Sequence, residues 1–427
     1  MPPPRLFAQV KRFASTIVSK PMPSKTHLHA PLPDSLFPKG YVLTGIHSGI
    51  KKKPELLDLA VILSTANGPA TAAACFTRNA FKAAPVVVSQ EVLQRSGGGR
   101  RMGNGARDRR APRAPPSALV HETLVMSTGV IGQTLPIEKI IAGISSQATA
   151  ASARNLGSTF EAWERAARAF MTTDTFPKLR ARSFTINGKE YRLAGMDKGA
   201  GMIHPNMGPP APAPPAVGVD LRGRWSFNSI SVDGDMSTND TIVVLANGAA
   251  ISDSEIQEEI DEEHDKTAYE TFRDELTAFA TELAQLVVRD GEGATKFVTV
   301  SVEGAPTYED AHKVASRIST SALVKTALFG EDANWGRILA ATGSIPLSAP
   351  LDPTRVSVSF VPVDGSSPLP LLVNGEPEKV DEVRAKEIVS AEDLEIKVEL
   401  GLGKESAKYW TCDFSYEYVK INGDYRT

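Results

Sequence analysis

The sequence predicts a multilayer α/β to α+β protein with mixed sheets and packed helices. Three observations predict it. Strand-like and helix-like segments interleave along the chain without a strict βαβ period. Hydrophobic residues make up 41% and charged residues 23%, the balance of a globular chain. A length of 427 residues suffices for two or three domains with a sizeable buried core. Lys plus Arg number 47 against 50 Asp plus Glu, so the formal charge of -3 argues against a chain devoted to nucleic acid. The two cysteines, Cys75 and Cys412, exclude a disulfide framework and a cysteine-rich metal site. No apolar run approaches the ~20 residues of a membrane span.

The elements follow in order. Residues 1–33 carry Arg5, Lys11, Arg12, Lys20 and Lys25, and no acid precedes Asp34. Basic, acid-poor and weakly amphipathic, this stretch reads as a mitochondrial transit peptide, the alternative being a basic tail. LDLAVILST (57–65) and AAPVVVS (83–89) are expected as strands, since Val, Ile and Leu lie between Gly, Asn and Pro punctuation. Residues 95–116 hold seven arginines and almost no apolar anchor, so they are expected to be disordered. PIEKIIAGISSQATAASA and TFEAWERAARAFMTTD read as helices. SFTINGKEYRLAG reads as a hairpin turning at Asn187 and Gly188. Residues 208–225 are proline-dense and can be neither central strand nor helix. Beyond them SFNSISVDGD and TIVVLANG are expected as strands. A long helix from Ser252 to Val288 is expected to open with a capping box at Ser252 and Glu255. FVTVSVEG, RVSVSFVPV, LEIKVELG and YWTCDFSYEYVKI read as strands, and AHKVASRISTSALVKTALFG as one helix.

Several chemistries are excluded. GLGKES lacks the phosphate-loop glycine, because Val398 stands where it is needed. DGDMSTNDT has Thr238 and Val244 where a calcium loop needs Gly and Glu. Seven scattered histidines form no HExxH pair, and no GxSxG elbow occurs. Three polar turns remain. STGVIG (127–132), expected just after a strand, offers N–H groups and the Thr128 hydroxyl to an oxyanion. KGAGMIHPNM (198–207) sets Lys198 before two glycines that let backbone approach a ligand. GEGATK (291–296) puts Glu292 on a turn where a carboxylate can meet a substrate ammonium.

DLAVILST, AAPVVVS, VMSTGVIGQTLPIEKI, MTTDTFPK, AGMDKGAGMIHPNM, SFNSISVDGDMSTNDT, RDGEGATKFVTV, LVKTALFGEDANWGRI and WTCDFSYEYVKINGDYRT stand in this order. Together they resemble the ornithine acetyltransferase family, the bifunctional glutamate N-acetyltransferases of the cyclic arginine pathway, in its fungal mitochondrial form. The resemblance implies a precursor that cuts itself before a threonine, whose hydroxyl becomes the nucleophile and whose α-amine becomes the base. N2-acetylornithine donates the acetyl group and glutamate accepts it. No cofactor is implied, acetyl-CoA entering as a second donor in some members. The two fragments stay together as an α2β2 heterotetramer in the mitochondrial matrix, with no nucleic acid and no membrane among the partners. By the same resemblance, residues 34–207 form an alpha-chain-like region and residues 226–427 a beta-chain-like one. Thr128 and Gly129 would form the oxyanion hole, and Thr172 and Lys198 would bind substrate. Glu292 would meet the amino group, and Asn422 and Thr427 would close the pocket.

Two segments depart from the family. The nucleophile is expected shortly after Pro-Asn-Met, yet no threonine follows Met207 until Thr238, which lies in a downstream motif. A strand and a helix expected after the cleavage point are missing too. The second departure is 95–116, where a strand-turn and helix are expected. Missing core strands leave exposed edges and unfilled volume, so a chain with ~5–15 kcal/mol of stability is expected to fold poorly. The two functional readings are a working acetyltransferase misrepresented by this translation and a non-catalytic relative that binds amino acids or pairs with an intact subunit.

Overall fold

A computed structural model describes residues 22–66, 70–95, 123–147, 155–209, 226–250 and 260–424. The chain first forms β1 (Tyr41–Ile46), β2 (Leu59–Ser64), β3 (Thr71–Thr77), α1 (Ala84–Arg95), α2 (Ile137–Ser146) and α3 (Phe160–Ala169). Next come β4 (Lys178–Ile186), β5 (Lys189–Asp197), β6 (Met207–Gly208), β7 (Ile230–Ser231), β8 (Thr241–Ala246) and α4 (Lys266–Arg289). The rest is β9 (Phe297–Ala305), α5 (Tyr308–Ser319), α6 (Ala322–Phe329), α7 (Trp335–Thr342), β10 (Ser357–Pro362), β11 (Leu369–Val373) and β12 (Glu376–Pro377). It ends with α8 (Glu382–Ser390), β13 (Asp393–Glu399), β14 (Glu405–Cys412) and α9 (Tyr416–Asp424).

A seven-stranded mixed sheet, ordered β12-β11-β10-β13-β9-β14-β7, forms the centre. β9 runs parallel to β13 and antiparallel to β14. Alternation decides its two faces. Val298, Val300 and Val302 point to one side and are fully buried with Phe360, Ile396 and Tyr409 beneath α5, α6, α7 and α8. Each such valine contributes roughly 1.5–3 kcal/mol relative to exposure. Phe297, Trp410 and Cys412 point to the other side, onto Ala284, Val287 and Val288 of α4. The outer face of α4 carries Phe279, Leu283 and Leu286, which pack on Phe176 and on Leu193 of β5. Two smaller units complete the layers: β1 and β2 covered by α3, and the sheet β6-β3-β8 covered by α1. The expected α/β to α+β multilayer class with mixed sheets is what the chain forms.

Several elements differ from the expectation. AAPVVVS is the first turn and more of α1, not a strand. Pro85 is tolerated at a helix start, and Val86, Ser89 and Leu93 bury one helical face against β3. The β-branched run misleads because packing overrides a weak local preference. The long helix begins at Lys266, where the Asp265 side chain accepts the Ala268 N–H. Ile260 precedes it, and the capping box at Ser252 and Glu255 lies outside the described residues. SFNSISVDGD yields only a 3-10 turn and the two residues of β7. The segment expected as one helix from Ala311 breaks at Thr320, because the Ser321 hydroxyl caps α6 by accepting the Val324 N–H. YWTCDFSYEYVKI is β14 followed by α9. Thr427, residues 96–116 and residues 210–225 lie outside the described residues.

Within the expected leader Lys25 is buried, and Leu28 and Leu32 join apolar clusters.

Candidate functional site

The β4–β5 hairpin builds the floor. Asn187 and Gly188 adopt φ of 50° and 75°, the two left-handed positions a tight two-residue turn demands. The register that follows pairs Lys178 with Asp197 at the far end, next to Lys198. Lys178 is fully buried and donates to Asp174 Oδ1 and to Asp290 Oδ2, both at 2.6 Å. Asp174 also accepts the Gly199 N–H at 2.7 Å and the Thr172 N–H at 2.9 Å. Asp290 takes the Thr175 N–H and hydroxyl. Burial pushes the Asp174 carboxyl up, but the Lys178 cation and the Gly199 N–H outweigh it and hold it below its ordinary value. Breaking such a buried pair costs roughly 3–5 kcal/mol, so the turn after β5 is rigidly held.

Glu292 lies at the far end of α4, two residues beyond the Asp290 cap, and is 7% exposed. Its N–H donates to the Ala200 carbonyl at 2.7 Å. A Cβ on Gly201 would stand 2.3 Å from the Glu292 carboxylate, which keeps its present place only beside a glycine. Asp413, just past β14, accepts the Thr295 N–H at 2.8 Å, the Thr295 hydroxyl at 2.6 Å and the Lys296 N–H at 3.0 Å. This anchors the turn to the end of the chain, where α9 brings Asn422 Nδ2 to within 2.7 Å of Glu292 Oε2.

A third segment closes the ring. Lys198 Nζ donates to Thr128 Oγ1 at 3.3 Å. Asn239 Nδ2 holds the Ser127 carbonyl at 2.5 Å. Gly129 has φ of 153°, and the space a side chain would fill beside it is open. No strand precedes this turn among the described residues 123–128; it follows an extended stretch tied to α1 by the Ser89 hydroxyl. Three more carboxylates crowd the same ground. Burial pushes Asp197 up to about 7 and Asp240 up to about 6, with Lys178 and Lys198 respectively acting the other way. Asp233 is also pushed up by burial, although it accepts the Met202 and Ile203 N–H groups.

Thr128, Lys198, Glu292 and Asn422 therefore meet around one turn, Gly129 adjoins it, and Thr172 is linked to it only by its N–H on Asp174. Thr427 lies outside the described residues. The sequence reading missed Asp174, Asp290, Asp413 and Asn239, which position the others. Each stands inside a quoted motif, but nothing in a linear motif tells a bracing carboxylate from a solvated one. An ammonium, a buried carboxylate, a hydroxyl and an open glycine turn together suit a zwitterionic amino acid. Among the described residues, no group of three or more His, Cys, Asp or Glu could hold a metal ion. No described helix is long and apolar enough to cross a membrane.

Comparison with known proteins gives concordant matches. The ArgJ family model matches residues 42–104, 108–211 and 220–427. The "Arginine biosynthesis bifunctional protein ArgJ, mitochondrial" of Postia placenta is 65% identical over 99% of this chain and 99% of its own. The protein of the same name from Coprinopsis cinerea is 60% identical over 98% of each chain. A solved structure, the arginine biosynthesis bifunctional protein argJ from Bacillus halodurans, is 35% identical, covering 49% of this chain and 96% of its own at a TM-score of 0.43. The comparison with the Postia protein runs over 462 positions against 427 residues here, so at least 35 positions have no counterpart in this chain. The breaks in the family match, at 105–107 and 212–219, fall inside the two segments already set apart as anomalous. The chain belongs to the ArgJ family.

Proposed function

We propose that the gene encodes a mitochondrial matrix acetyltransferase that moves an acetyl group from N2-acetylornithine to glutamate. The observation that carries this reading is the convergence of Thr128, Lys198, Glu292 and Asn422 from four separated segments. In this reading Lys198 and Thr172 bind the substrate, and Glu292, oriented by Asn422, takes its ammonium. Thr128 and Gly129 stabilise the oxyanion that forms as the acetyl carbonyl is attacked. An attacking hydroxyl would form the acyl ester as the acetyl–nitrogen bond breaks and ornithine leaves with the proton. The glutamate amine would then attack the ester and release the hydroxyl. Acetyl-CoA serves at most as a second donor, no resident cofactor is needed, and the two fragments assemble as α2β2.

This chain holds the binding groups but not the hydroxyl. Residues 208–237 contain no threonine, so no self-cleavage can generate an N-terminal threonine there. Up to Gly208 the path toward that point is well held: the Asn228 side chain clamps the Met207 N–H and carbonyl at 2.8 and 3.0 Å. Intact family sequence on both sides, and relatives longer by tens of positions, favour a misplaced splice boundary over decay. The missing threonine by itself favours the second reading, a non-catalytic relative that binds amino acids or pairs with an intact subunit. Sequencing the transcript across the codons for Ser96 to Ser226 separates the two. An Ala-Thr pair in frame, with a product that runs as two fragments on a denaturing gel, supports the enzyme. A transcript that matches this chain rules out acetyl transfer through an N-terminal threonine.

A further inference from the structure

The expected leader covers residues 1–33, yet the structure uses its last part as a brace. Lys25 is 8% exposed and reaches toward the Gly291 carbonyl at 3.5 Å, immediately before Glu292. Burial lowers its pKa, while Asp290, Cys412 and Asp413 favour its charge. The residues after it cross three elements. Leu28 packs against the cluster of Phe176, Phe279, Leu283 and Leu286, and its carbonyl accepts Arg180 Nη2 of β4 at 3.0 Å. His29 meets Glu164 of α3 at 2.9 Å. Asp34 accepts the Phe160 N–H at 2.7 Å and so caps α3, whose own Thr159 makes no side-chain cap. Removal of this stretch would expose part of the α4 core, uncap α3 if the cut passed Asp34, and leave Asp290 and Asp413 with one cation fewer.

We propose that the import leader ends ahead of Ser24, that residues 24–34 are a permanent strap of the mature protein, and that Lys25 is a positioning residue for the turn bearing Glu292. The first part rests on the mitochondrial reading and the last on the role given to Glu292, so the test has two independent arms. In the first, the full chain is expressed with its leader, recovered from mitochondria, and its first residue read by mass spectrometry. A first residue at position 24 or lower is expected; any start beyond 24 overturns the strap. Should the protein remain unprocessed outside mitochondria, the localisation reading fails and the second arm decides.

In that arm, amide hydrogen exchange is compared in the full chain carrying Lys25, Lys25→Met or Lys25→Arg. The N–H groups of Glu292 and Ala294 are bonded to the carbonyls of Ala200 and Gly291, so they report on the turn directly. Lys25→Met is expected to speed exchange there about tenfold, with β9 unchanged and with Lys25→Arg restoring most of the protection. Unchanged exchange at Glu292 and Ala294, or loss of protection throughout the chain, overturns the positioning role.

Discussion

Gly201, Ala200 and Asn422, which carry no charge of their own, touch Glu292 directly. Gly201 leaves the room it occupies, and the Ala200 carbonyl fixes its backbone. Gly201→Ala is therefore expected to displace the carboxylate and weaken glutamate binding by about tenfold, or about 1.4 kcal/mol, with little change in Tm; calorimetry and thermal unfolding check both. Asp197 supplies the pH dependence. Its folded pKa of about 7 lies above the ordinary 3.8, so its neutral form is the one the fold favours. Stability from this group is complete below pH 3.8 and is lost as pH rises toward 7. Asp197→Asn should match the parent near pH 4 and exceed it by a few kcal/mol at pH 8, measured by denaturant unfolding at both. Lys198, Glu292 and Thr128 were legible because small-residue turns flag them. Asp174 and Asp413 were not, since their importance comes from partners up to 118 residues away.

At the scale of elements, local chemistry was legible where it dictates backbone conformation. The Asn187 and Gly188 turn is such a case, and it sets the register that brings Lys178 opposite Asp197. Gly188→Ala meets no neighbouring atom but must hold φ near 75°, so strain alone should cost about 1 kcal/mol of stability, measured by chemical denaturation. Where burial decides, the reading failed. AAPVVVS has strand composition but folds as a helix because α1 must cover Phe76 and Ala74 of β3. The helix expected from Ser252 begins only at Lys266, where the capping side chain is Asp265. Side-chain caps at Ser321 and Asp265 decided boundaries that apolar periodicity ran straight through.

At the scale of the whole chain, filled and open apolar surfaces stand apart. The central sheet is well filled on both faces, whereas α2 and β2 leave apolar surface open. None of the described side chains of α2 is buried. Its Ile137, Ile141 and Ile144 share a stripe that remains about half exposed, and Ile62 and Leu63 of β2 are exposed as well. Apolar surface of this kind favours association between copies. This chain should self-associate and bind an apolar dye, and Ile141→Lys combined with Ile144→Glu should reduce both; light scattering and dye fluorescence report the change. Wild-type protein that stays monomeric and dye-free would show that the surface is covered.

On the proposed function, the cluster around Lys198 and Glu292 recognises an amino acid, whether or not this chain can transfer an acetyl group. The most direct measurement is a calorimetric titration of the folded, purified chain with L-glutamate, beside the same titration of Glu292→Gln. Saturable binding to the parent chain and at least tenfold weaker binding to the variant are expected. A folded parent that gives no binding heat, or a variant that binds equally well, would contradict that recognition.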